Sequence, residues 1–252
     1  MNETAVAQLP DAPNVVFMAG MKFGSSGRES LTWAMNAYVP AVVCRRYAKS
    51  RIVAFSTGNV YGLTAASGGG SVENDSLRPV GEYAMSCVGR ERMFEHFSQR
   101  EGTPVAIVRV NYASELRYGV LLDLAQKIWE GRAIDLAMGY FNTIWLADAN
   151  AMALQSLEHA ASPAAFFNIT GRETLRVREV CERFGKLLGK TPVFAGTETN
   201  TALLSNPTRA YDTFGRPTIS PDQLIDWVAQ WVRSGQPVLN KPTHFESRDG
   251  RF

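Results

Sequence analysis

The chain has 252 residues, a formal net charge of +2 and 20% charged residues. That length buries a full core as one large domain or two small interleaved ones, and near-balanced charge without a basic stripe removes the electrostatic case for nucleic acid or an anionic membrane. A small-molecule partner is the default.

Cys44, Cys87 and Cys181 are odd in number and far apart, with no CxxC or Cys/His spacing, so neither a disulfide framework nor a metal site is indicated. The start has no basic region followed by an apolar core, and no stretch approaches about 18 uninterrupted apolar residues. The reading is a soluble, cytoplasmic protein.

In chain order, "NVVFMAG" (14–20), "RIVAFST" (51–57) and "PVAIVRVN" (104–111) are β-rich apolar runs without strict alternation. Strands buried on both faces of a parallel sheet read this way. Helical patterns at 29–50 and about 81–100 separate them, and Pro40 inside the first predicts a kink or break. "SGGGS" (67–71) reads as a flexible loop. Strand, helix, strand, helix, strand is the α/β doubly wound pattern, which places a site at the carboxyl ends of the strands.

The later half predicts helices at 121–131, 146–160, 176–190 and 220–235, a strand at 165–171, and a polar, irregular tail from Gln236.

Five segments in order carry a family resemblance. "FSTGNVYG" (55–62), "ENDSLRPVGEYAMSCVGRE" (73–91), "RVNYA" (109–113), "IWLADANAMAL" (144–154) and "FFNITGRETLRVREV" (166–180) together resemble the NAD-dependent epimerase/dehydratase family of extended short-chain dehydrogenases. The resemblance runs from about Asn14 to Gly235. It implies an incomplete Rossmann-like dinucleotide-binding domain at 1–114 and a mainly substrate-binding domain at 115–252, with about 165–171 returning to the sheet. It also implies Thr57 as the catalytic hydroxyl and Tyr83 as the acid/base, acting on a carbohydrate-like substrate by hydride transfer with NAD or NADP. Ala19 and Gly20, Asn36 and Asn111 are its cofactor-binding candidates, and a homodimer joined through the helices at 29–50 and 81–100 is its expected assembly.

Three departures qualify that expectation. The family opens with a strand and a GxxGxxG turn for the pyrophosphate. Here Gly20, Gly24 and Gly27 have the wrong spacing, and Tyr83 follows Gly20 too soon for the strands that precede the tyrosine helix. "VVFMAG" instead matches the family's fourth strand, near the nicotinamide ribose, so two βαβ-sized units, roughly sixty residues, are expected to be lacking from the amino-terminal side and NAD(H) binding to be weak or absent. Second, Cys87 stands where the family has the lysine that lowers the tyrosine pKa. An unassisted tyrosine is only about 0.1% ionised at neutral pH. Third, nucleotide-sugar enzymes of the family often carry arginine seven residues before the aspartate that Asp148 matches, where this chain has Phe141, which favours a substrate without a diphosphate.

Each site residue also has a plainer reading. Thr57 caps a turn, Tyr83 packs with its hydroxyl satisfied, Cys87 is a small buried hydrophobe rather than a third catalytic group, Asn36 ties down backbone, Arg109 pairs with a carboxylate, and Asp148 anchors a loop. Taken together they give a rival from another class: a non-catalytic pseudoenzyme that serves as a binding or assembly module.

Overall fold

The computed structural model describes residues 3–22, 24 and 26–251. The three apolar runs become strands Asn14–Phe17, Arg51–Thr57 and Val105–Val110, joined by Ala165–Ile169 in a four-stranded parallel sheet whose spatial order follows the chain. Ser56, Arg109 and Asn168 are level across the last three strands of that order, two inner and one edge. Asn14–Phe17 forms one edge, with Val16 on it and Met18 just beyond it exposed.

The helices, in chain order, are α1 (Glu3–Ala7), α2 (Glu29–Trp33), α3 (Val39–Arg46), α4 (Gly81–Glu101), α5 (Val120–Trp129), α6 (Leu146–Gln155), α7 (Val177–Leu188), α8 (Thr208–Phe214) and α9 (Pro221–Arg233). Pro40 does not break its helix. A π-helical turn, Ala34–Tyr38, links α2 to α3 and places Pro40 in the first turn of α3, where its missing N–H costs little. Gly189 in the left-handed conformation stops α7, and Ser220 with Gln223 closes a capping box on α9 ahead of which Pro221 fits the first helical position.

Period-two alternation within the strands sends successive side chains to opposite faces. Ile52, Ala54, Val105 and Ile107 meet Val39, Val43 and Phe94 from α3 and α4. Val53, Ala106, Val108 and Phe167 meet Ala149, Met152 and Ala153 of α6. The sheet is therefore covered on both faces, the doubly wound arrangement. The α2–α3 segment packs beside α4 on one of them, with Gly89 against Trp33 and Ala37.

A separate core joins α5, α7 and α9 with Phe141 and Phe245. Phe245 belongs to the tail that its polar composition marks as irregular. The tail has no helix or strand from Gln236 to Arg251, as expected, yet Phe245 and Thr243 are buried and Arg248 is held by the carbonyls of Ala137 and Thr201. "SGGGS" is likewise held rather than free: Ser71 N donates to Leu204 O, and Asn206 N donates to Ser71 O. Small residues suit that close backbone approach. No helix among the described residues is long and apolar enough to cross a membrane.

Candidate functional site

Two polar constellations lie at the carboxyl ends of the inner strands. The first is closed. Arg109 donates to Glu91 through Nε (3.0 Å to Oε1) and Nη2 (2.8 Å to Oε2), and the pair is almost wholly excluded from solvent. Ser56 Oγ donates to the same carboxylate at 2.5 Å. Arg109 Nη1 reaches the Tyr61 hydroxyl, which donates to Asn168 Oδ1, and Asn168 N donates to Glu73 Oε1. Burial pushes the Tyr61 phenol up to about 12, against the opposing pull of Arg109. Charges removed from water persist only when their remaining donors and acceptors are met, and here they are.

The second constellation opens onto a cavity of about 340 Å³ whose walls include Lys22, Thr57, Asn59, Tyr83, Asn111, Tyr118 and Thr243. Thr57 ends its strand and caps the following turn, accepting from Asn59 N at 3.2 Å. Tyr83 stands in the first turn of α4, on the cavity wall with Thr57 and packed against Cys87, and both neighbours act on its phenol. Thr57, Tyr83 and Cys87 therefore meet. The capping role of Thr57 and its place beside the tyrosine coexist.

Cys87 is fully buried with Val60 and Tyr61 around it. Burial raises its thiol to about 11, with Arg90 and Tyr83 opposing, so it carries no negative charge near neutral pH. Burial also pushes the Tyr83 phenol well above its ordinary range; Cys87 adds to this, while Arg90 and Thr57 oppose it.

Asn111 is at the cavity wall, with its amide donating to Asn142 Oδ1 (2.8 Å) and Leu203 O (3.1 Å). Ala19, Gly20 and Asn36 are not among the wall residues. Asn36 is fully buried; its side chain bonds Met21 N and Met21 O, and meets Ser86 and Arg90. It thereby fixes the backbone just before Lys22.

The wall residues that motif reading missed come from three loops or helix ends. Lys22 leaves the edge strand, Tyr118 precedes α5, and Thr243 belongs to the tail, where its N–H and hydroxyl bind Asp123. Tyr112 lies inside the matched "RVNYA" but shows its importance only in its backbone, at φ 46. A left-handed non-glycine residue at a cavity is the kind of strain that active sites hold.

The residues do not fit a dinucleotide pyrophosphate at the glycine turn. A Cβ on Gly20 would lie 2.1 Å from Arg90 Nη2, so the smallness of Gly20 serves the chain's own arginine. Farther on, Gly27 N donates to Glu29 Oε1 at 2.7 Å. A carboxylate thus holds an N–H at the start of α2, where an anion would need it.

Comparison with known proteins places this geometry. No family model and no curated protein sequence matches the chain. Among solved structures, RMD from Pseudomonas aeruginosa, complexed with NADPH, is similar at a TM-score of 0.77 and 16% identity, over 93% of this chain and 86% of that one. UDP-glucose 4-epimerase from Thermotoga maritima, with UDP-glucose, gives 0.75 and 16%, over 93% and 82%. dTDP-glucose 4,6-dehydratase from Bacillus anthracis, with NAD, gives 0.72 and 17%, over 88% and 73%. The fold is that of the NAD-dependent sugar epimerases and dehydratases.

Within that fold, Asp148 anchors the loop before α9, accepting from Thr218 N, Thr218 Oγ1 and Ile219 N. Phe141 is buried against Phe245, their ring centres 6.2 Å apart.

Proposed function

We propose that the chain binds a carbohydrate-like molecule without a diphosphate in the cavity beside Tyr83, and that Tyr83 exchanges a proton there with a secondary hydroxyl that Thr57 orients. The observation that carries this reading is the contact of Thr57 with Tyr83 at a cavity walled by Asn59, Asn111, Tyr118 and Thr243. Neutral hydroxyl and amide groups suit the alternating donors and acceptors of a polyol. Phe141, buried in the apolar core, supports the exclusion of a diphosphate. In proton exchange, the hydroxyl O–H of the ligand breaks as an O–H forms on the Tyr83 phenolate, and the reverse step restores both.

The parent reaction, NAD(P)-dependent epimerisation, dehydration or oxidation, requires a dinucleotide. Arg90 beside Gly20 and Glu29 on the α2 start support weak or absent binding of it by this chain. A second reading rests on the same observations and on Cys87: a non-catalytic module that keeps the pocket and has given up the cofactor. A homodimer through α2 and α4 belongs to the proposal, supported by Leu31, Trp33 and Tyr38, which α2 and the π turn expose.

Calorimetry with free sugars, sugar acids and nucleotide sugars, alone and with NAD(H), tests the reading. A free sugar or sugar acid should bind and lose at least about tenfold in affinity in Tyr83→Phe, the loss of one good hydrogen bond. Nucleotide sugars binding better than every free sugar would overturn the substrate class. NAD(H) binding tighter than about 10 μM, roughly 7 kcal/mol, would overturn the weak-cofactor reading. Turnover with NAD(H) and a bound sugar would decide for the enzyme over the module.

A further inference from the structure

A buried phenol acts as a base only if something stabilises its anion, and the neighbour one helical turn beyond Tyr83 is a neutral thiol. Arg90, two turns along, opposes the burial of the phenol through its charge, but its N–H donors are turned to other partners, Nη1 to Phe55 O at 2.8 Å and Nη2 to Asn36 Oδ1 at 2.6 Å. Lys22 is the one basic side chain among the cavity-wall residues. Its Nζ lies over the Tyr83 ring, 5.9 Å from the centroid. The approach is built, because the doubly anchored Asn36 amide holds Met21 at both its N–H and its carbonyl, and this sets the direction in which the next residue leaves the chain.

Deepening the proton-exchange reading of the same cavity, on which it rests, we propose that Lys22 is the positioning residue of the Tyr83 site: an ammonium, delivered from the loop after the edge strand rather than from α4, that stabilises the Tyr83 phenolate. Lys22 is half-buried, and burial lowers its pKa to about 8 against the opposing pulls of Cys87 and Asp123.

The other charged or titratable groups around the pair are Cys87, Arg90 and Glu91 on α4, Asp123 and Lys127 on α5, Tyr112 and Tyr118 between the sheet and α5, and Glu246 of the tail. Asp123 also sits against Thr243. It draws Lys22 toward the charged form. Tyr83 and Lys22 together lose one proton as pH rises, and the phenolate–ammonium arrangement of the singly deprotonated pair is the reactive one. The proton moves from the phenol oxygen to the amine nitrogen within the pair, and no electron is transferred. A ligand hydroxyl then gives its proton to the phenolate.

The test needs neither ligand nor cofactor. The protein is labelled at the tyrosine ζ-carbon, the Tyr83 signal is assigned by its loss in Tyr83→Phe, and its ionisation is followed by NMR in wild type, Lys22→Met and Lys22→Arg. A unit charge about 6 Å away at an effective dielectric near 20 shifts an ionisation by about two pH units. Tyr83 in Lys22→Arg should therefore ionise roughly 100-fold more readily than in Lys22→Met, and the wild-type signal should show a step as Lys22 titrates that Lys22→Met lacks. Coincident midpoints in the two variants, with no such step, would overturn the proposal. Lys22 is on a loop, and thermal midpoints of the variants confirm that fold is held constant; the arginine variant keeps the charge in any case. Sugar binding without the coupling refutes the role of Lys22 and leaves the substrate reading standing. Coupling without sugar binding does the reverse.

Discussion

The closed network around Arg109 and the cavity around Tyr83 begin one residue apart in the chain, at Ser56 and Thr57, yet they stand to the sequence resemblance in opposite ways. Every member of the network, Ser56, Tyr61, Glu73, Glu91, Arg109 and Asn168, comes from the segments that carry the resemblance, and all are joined by hydrogen bonds. Beside the cavity, by contrast, Cys87 stands where the resemblance implies a lysine, and the ammonium on the cavity wall arrives from another element. The difference shows that the motifs most visible in this sequence are those that assemble the scaffold. A buried ion pair cannot lose one partner without stranding the other, whereas an electrostatic role beside a cavity can be filled from more than one direction.

The largest expected effect lies in the network. Arg109→Met leaves Glu91 buried and unpaired and should cost about 3–5 kcal/mol in denaturant unfolding. Adding Glu91→Gln to Arg109→Met should recover a good part of that. If the single change costs under about 1 kcal/mol, the network is not the rigid half of the comparison.

Next comes the cysteine. Cys87→Lys inserts a long cation among Val60, Tyr61 and Tyr83, and overpacking alone should destabilise by about 1–3 kcal/mol. If stability is instead unchanged and the pH–rate profile of an active preparation moves its rising limb to lower pH, the site has merely lost its lysine. Loss of both stability and activity marks a site rebuilt around the thiol.

Tyr83→Phe should leave unfolding within about 1 kcal/mol of wild type, the usual net worth of one hydrogen bond. In any active preparation it should reduce turnover by about 10²-fold or more, with Thr57→Val a smaller loss. An unchanged rate would make Tyr83 a packing residue.

The smallest effect is a slope. The folded-state pKa of Lys22, about 8, lies below the ordinary lysine value, so the unfolded chain holds more protons between those limits. Stability from this group is therefore lowest below pH 8 and increases as pH rises toward the unfolded value. Tyr83 and Cys87, raised by burial, act in the opposite sense. Subtracting the Lys22→Met curve from wild type isolates the lysine contribution, which should rise with pH across that window; a flat difference would place Lys22 in bulk water.

The sequence by itself determined the sheet, because runs such as "RIVAFST" bury both faces and admit few other arrangements, and it determined the α4 tyrosine beside the Thr57 turn through the spacing of their motifs. It also showed that position 87 lacks a cation. Tertiary structure alone decided what stands in that place. Lys22 is distant from Tyr83 along the chain, and nothing local distinguishes it from any loop lysine until Asn36, itself buried by the packing of α2 against α4, fixes the backbone at Met21. The tail is the same case: Thr243 and Phe245 sit in a stretch whose composition is polar, and they are buried because Asp123 and the α5–α9 core supply partners that no local pattern encodes. Periodicity records which face of an element is buried, while long-range pairing depends on where separate elements meet.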